Sequence, residues 1–180
     1  MLQSTPPISW HVFQSLHSLV IALLVSVLVA LPPAAVQADT YVQAPDFTLK
    51  RSTGEAVTLS SLRGNVVIVV FWATWCPYCK KLLPGIQKLV DFYEGGKFKV
   101  LAVDIWDEGD TDVYMKQHGL NLDVLLHGDD VAGQWGVRGT PTTFVINVDG
   151  NIIYGTHNSD PDNPELASVV ERALNETSAE

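Results

Sequence analysis

The sequence is poor in cysteine, and its first 38 residues carry no Lys, Arg, Asp or Glu. Only two cysteines, Cys76 and Cys79, occur in 180 residues. They cannot build the disulfide framework that holds small secreted domains together. A tetrahedral zinc site needs further Cys or His at regular spacing. The five histidines, His11, His17, His118, His127 and His157, are scattered and offer no paired ligand spacing. The cysteines are therefore a local redox pair or part of a metal site. Cations are also scarce: 11 Lys and Arg stand against 20 Asp and Glu, a net charge of −9 that falls entirely after residue 38. Phosphate contacts need clustered Lys and Arg, so a nucleic-acid partner is disfavoured. Internal repeats and low-complexity tracts are absent.

The uncharged segment is the first positive feature. Leu19 to Leu31 is apolar except for Ser26, a run with the length of a signal-peptide core and short for a membrane span. Pro32 and Pro33 break it, and Val36-Gln37-Ala38 places small residues where signal peptidase cuts. Residues 1–38 are thus expected to be a signal peptide cleaved near Ala38, or an N-terminal membrane anchor running from about Phe13 to Val36. No positive residue precedes the apolar run, which departs from the usual signal pattern. Residues 39–180 are expected in the periplasm or an equivalent extracytoplasmic space, with membrane contact only through the N-terminal segment.

Beyond it, 39–45 reads as a linker, 46–175 as one domain and 176–180 as a frayed tail. Phe47–Leu49 and Val57–Leu59 flank Ser52-Thr53-Gly54 as a hairpin. Ser60 and Ser61 begin a turn that Gly64 ends. Val66 to Phe71 is an unbroken apolar run, the pattern of a strand buried on both faces. Helical spacing follows from Cys76 or Pro77 to Tyr93, with Gly95-Gly96 behind it. Val100–Ile105 and Val124–Leu126 read as strands, Asp110–His118 and Val131–Trp135 as short helices. Thr143–Ile146 and Ile152–Tyr154 flank Asn147 to Asn151 as a second hairpin, and Pro164–Leu174 as a terminal helix. Strands alternating with helices describe an α/β sandwich with a mixed sheet.

Cys76 and Cys79 fall where a buried strand meets a helix. Residues at i and i+3 on a helical turn share a side, within the Cα separation of about 4.4–6.8 Å that a disulfide accepts. Pro77 suits the first helical position, where no backbone donor is needed. At the helix N-terminus, Cys76 meets unpaired N–H groups that stabilise a thiolate, and Lys80 and Lys81 add positive charge. Cys76 is therefore expected as the nucleophile and Cys79 as the resolving thiol. No cofactor and no metal are expected.

Trp75-Cys76-Pro77-Tyr78-Cys79-Lys80 resembles the active-site motif of the thioredoxin superfamily, and Pro84 matches the proline that kinks its active-site helix. Val137-Arg138-Gly139-Thr140-Pro141-Thr142 resembles the family's cis-proline loop. Ala44 to Leu49, Leu59 to Gly64 and Pro141 to Asn147 follow the layout of the TlpA/ResA-like branch, a resemblance covering nearly all of 44–175. It implies a thioredoxin-like fold whose central mixed sheet is flanked by helices, with an N-terminal β-hairpin extension and a central insert from Trp106 to Gly128. It also implies a thiol-disulfide oxidoreductase acting on exported protein thiols and disulfides, as a reductant of the cytochrome c maturation type fed by a membrane thiol-electron donor. Pro141 would lie beside Cys76, and Trp75, Pro77, Tyr78, Gly139 and Thr140 would line the substrate groove.

One departure concerns protons. The buried aspartate that thioredoxins carry before the first cysteine is Val70 here, and Asp107 or Glu108 is expected in its place. Two other classes share part of this pattern. A peroxiredoxin-like peroxidase shares the Ala-Pro-Asp-Phe opening but needs Thr where Ala73 stands. A copper-binding Sco-like metallochaperone needs a wider cysteine spacing, with His157 as third ligand.

Overall fold

The computed structural model describes residues 41–177, leaving out the side chain of Thr177. The expected signal peptide or anchor, Leu19 to Leu31 and Ala38 included, lies outside these residues. Among the described residues no helix is long and apolar enough to cross a membrane.

The elements in order are β1 (Val42–Gln43), β2 (Thr48–Lys50), β3 (Ala56–Thr58), a 3-10 turn (Leu59–Leu62), β4 (Val66–Trp72), α1 (Pro77–Phe92), β5 (Phe98–Asp104), α2 (Thr111–Gln117), β6 (Asp123–Leu125), α3 (Asp129–Gln134), β7 (Thr142–Ile146), β8 (Asn151–Thr156) and α4 (Pro164–Thr177). Six strands form one mixed sheet in the order β1-β8-β7-β4-β5-β6, and β2-β3 forms a separate hairpin. The central pair β4·β5 is parallel, as a strand–helix–strand crossover requires. β7 runs antiparallel to β4.

Strand β4 is buried along its whole length because both faces of the sheet are covered. Val66, Ile68, Val70 and Trp72 face a core built with Leu82, Leu83 and Ile86 of α1 and Leu166, Val169 and Val170 of α4. Val67, Val69 and Phe71 face the opposite core, with Phe47 and Val57 of the hairpin and Val131, Ala132 and Trp135 in and after α3. This is the expected thioredoxin-like α/β fold with its hairpin extension. Most element ends shift by one to three residues from the expected ones, and two segments differ more plainly. Val42–Gln43, expected within the linker, pairs with Ile152 and Asn151 of β8, because that edge strand leaves ladder groups free to bond. Helix α4 runs on to Thr177, past the expected start of fraying.

Candidate active site

The sheet places the site at the C-terminal ends of its central strands. Trp72, the last residue of β4, lies in register with Asp104, the last of β5. On the other side Phe71 pairs with Thr142, so Pro141 arrives at the same rim. Thr143 pairs with Thr156, which brings His157 level with Thr142. Ala73 to Cys76 then turn the chain from β4 into α1.

Cys76 is the N-cap of α1 and Pro77 its first residue. The cysteines form a disulfide with a Cα–Cα separation of 5.2 Å. The backbone N–H of Cys79 donates to Cys76 Sγ at 3.0 Å, so the sulfur occupies the position of a capping oxygen. A thiolate there gains from that bond and from the helix dipole. Cys79, one turn inside, is fully buried, and Cys76 is 2% exposed. Trp75, Pro77 and Tyr78 are exposed around the pair.

The Thr140–Pro141 peptide is cis. The loop is held by Thr142, whose buried hydroxyl donates to the Gly139 carbonyl at 2.7 Å and accepts from His157 Nδ1 at 2.9 Å. Gly139 and Thr140 are half-buried beside it. His157, the third ligand a copper site would need, is thus engaged with the cis-proline loop. Among the described residues no group of three or more His, Cys, Asp and Glu is placed to hold a metal ion.

The acidic residues sort differently from the sequence reading. Asp107 folds back onto the active-site turn, accepting from the Thr74 N–H and from Thr74 Oγ1, the latter at 2.8 Å, and from Gly109 N–H at 2.9 Å. Burial pushes its pKa up, but these bonds outweigh it and hold the carboxyl below its ordinary value. Such a carboxylate is a clamp and a weak base. Glu108 is exposed. The buried acid is Asp104, 4% exposed and on the face of β5 that carries Val100 and Ala102 toward α1. Burial pushes its pKa up to about 7, and the neighbouring Asp107 and Asp129 charges add to the rise. Its Oδ1 is buried without a hydrogen-bond partner. The sequence signal for Asp104 was a single acid closing the apolar run Val100–Val103. In sequence it is masked by the acidic loop that follows, Asp107 to Asp112.

A family model described as AhpC/TSA family matches residues 41–155. The chain belongs to the AhpC/TSA family. Several relatives of this AhpC/TSA chain are named thiol-disulfide oxidoreductase ResA. That of Bacillus subtilis (strain 168) is 33% identical over 115 residues, covering 61% of this chain and 63% of the relative. That of Bacillus anthracis is 33% identical over 114 residues, covering 62% and 65%. The match therefore spans less than two-thirds of these relatives' own length. Among solved structures, a protein provisionally described as thiol:disulfide interchange protein DsbE from Chlorobium tepidum superposes with a TM-score of 0.68. It is 30% identical over 77% of this chain and 99% of that one. A protein provisionally described as a disulfide isomerase from Bacteroides thetaiotaomicron gives a TM-score of 0.64 at 32% identity, over 80% and 92%. In this AhpC/TSA chain the residue three before Cys76 is the buried Ala73, which carries no hydroxyl for peroxide chemistry.

Proposed function

We propose that this protein is a thiol-disulfide oxidoreductase that exchanges electrons with protein substrates through Cys76 and Cys79. The observation that carries the reading is the capped sulfur: Cys76 Sγ at the N-terminus of α1, bonded by the Cys79 N–H and joined to Cys79. In the reduced protein the Cys76 thiolate attacks one sulfur of a substrate disulfide. A mixed disulfide forms and the other substrate sulfur leaves as a thiolate. Cys79 then loses its proton, and its thiolate attacks Cys76 Sγ. The second substrate thiolate leaves and the intramolecular disulfide closes. The substrate has gained two electrons and the pair has lost them. Asp104, on the same face of the sheet as α1 and with a pKa near neutrality, is the group suited to take the Cys79 proton.

The relatives' names support the exchange chemistry, and the apolar segment before Ala38 supports a finer reading of its setting. The protein works outside the cytoplasm as a reductant of disulfides in exported proteins, of the cytochrome c maturation kind, and is recharged by a membrane thiol donor. Single Cys76→Ala and Cys79→Ala variants titrated with a thiol reagent at neutral pH test the chemistry. Cys76 in Cys79→Ala is expected to react at least tenfold faster than Cys79 in Cys76→Ala, given a thiolate favoured at the helix end. The reverse order removes the assignment.

A further inference from the structure

Three large aromatic side chains stand exposed near the redox pair: Trp75 at 59%, Tyr78 at 64% and Trp106 at 44%. Trp75 and Tyr78 belong to the cysteine motif. Trp106 arrives separately, on the loop after β5, and the chain holds it there against its local preference. Its φ is +54°, in the left-handed region that bulky residues seldom adopt. Its N–H donates to Asp129 Oδ1 at 2.9 Å, and its carbonyl accepts from Trp75 Nε1 at 2.9 Å. The residues around it are tied to the active-site turn. Ile105 N–H donates to the Trp72 carbonyl at 3.0 Å, Asp107 clamps Thr74, and a Cβ at Gly109 would overlap the Thr74 hydroxyl. The Trp75 indole is thus bonded to the Trp106 backbone, and both side chains are exposed on segments tied to the turn that carries the cysteines. Exposing an indole in a strained backbone opposes both burial and conformational preference.

The loop that carries Trp106 and the start of α3 beside it hold charge of one sign, whereas Arg138 lies in the cis-proline loop. Glu108, Asp110, Asp129 and Asp130 are exposed, and no Lys or Arg occurs between Lys99 and Lys116 or between Lys116 and Arg138. The cations nearest in sequence to the pair, Lys80 and Lys81, sit on α1. Indole faces attract cations and offer broad apolar contact, and an acidic rim raises the local concentration of basic groups. Resting on the exchange reading of Cys76 and Cys79, we propose that Trp106 and Trp75 form a substrate-reading platform. Its ligand is a basic, apolar segment adjoining the reacting cysteine of a protein substrate. Trp106 therefore sets specificity without entering the sulfur chemistry.

The test mixes reduced protein with three disulfides: hydroxyethyl disulfide, a cystine-linked peptide with Arg-Phe beside the cysteine, and the same peptide with Glu-Gly there. Wild type is expected to prefer the Arg-Phe peptide by roughly tenfold in kcat/KM at low salt, with the preference shrinking as salt screens the acidic rim. Trp106→Ala and Trp106→Gly should remove most of that preference through KM, leaving the hydroxyethyl disulfide rate unchanged. The glycine variant accepts the left-handed backbone without strain. Trp106→Phe should recover part of the preference. Equal wild-type rates on the two peptides, or a preference intact in Trp106→Ala and Trp106→Gly, overturn the platform while exchange stands. Failure of wild type to react with any of the three, hydroxyethyl disulfide included, overturns the exchange reading itself.

Discussion

Asp104 and Asp107 lie on one short stretch of chain and titrate in opposite directions. Asp107 receives three hydrogen bonds that favour its charged form, whereas Asp104 is desolvated and faces Asp107's charge. The two residues therefore answer differently to substitution. Asp104→Asn is expected to slow resolution of the mixed disulfide by roughly a hundredfold or more, toward the range for losing a general base. It should also flatten the rise of that rate through pH 7. Asp107→Asn removes the negative neighbour, so the Asp104 pKa should fall and the midpoint of the rate profile should move to lower pH. Stopped-flow resolution rates from about pH 5 to 9, bracketing the carboxyl and thiol titrations, measure both. Unchanged profiles in both variants would assign the proton to water. The raised pKa also has a stability sign. Below the ordinary carboxylate pKa of 3.8 Asp104 is neutral in both folded and unfolded chains and costs nothing. As pH rises from there toward about 7, the unfolded chain ionises while the folded one resists, so stability falls, and the loss is complete above the folded pKa. Asp104→Asn should therefore stabilise the protein more at pH 8 than at pH 4, by a few kcal/mol at most, at 1.36 kcal/mol per pKa unit. Urea unfolding at the two pH values checks it.

At the scale of elements, α1 carries the chemistry at one end and needs close packing along its length. Pro84 stands inside it and removes one backbone donor. Gly85 follows, and a Cβ there would overlap the carbonyl group of Pro161 in the connection between β8 and α4. That connection approaches the helix backbone directly, so Gly85→Ala should destabilise by about 1–3 kcal/mol, the cost of forcing a shift in a packed contact. Thermal unfolding of the oxidised variant measures it. An equal or raised midpoint would mean that Pro161 moves away freely. The loop after β5 is the second element that matters. Its residues were legible as an acidic stretch, but its attachment to Thr74 and Trp75 depends on where β5 ends beside β4.

For the whole molecule, the sheet order brings to one rim segments far apart in sequence: Trp72, Cys76, Asp104, Pro141 and His157. The same rim carries the exposed aromatics, so the protein presents chemistry and recognition on one side. The proposed setting of that surface is extracytoplasmic. Fusing residues 1–45 to a reporter active only after export should give activity, and retention in the cytoplasm would remove the proposal.

The fold class, the strand Val66 to Phe71, the helix that starts at the cysteines and the loop around Pro141 are legible along the chain alone. These signals are local: apolar runs, a proline at the first helical position and short motifs act through neighbouring backbone. Contacts between distant segments supply what local pattern cannot carry. Asp104 and Asp107 look alike in sequence, and only the register of β4 and β5 buries the first beside Trp72 and turns the second onto Thr74. Trp106 resembles any aromatic after a strand, and only its bonds to Trp75 and Asp129 hold it in the open. Burial and hydrogen bonding between distant segments set the protonation and exposure of these groups, and both arise only when the sheet is assembled.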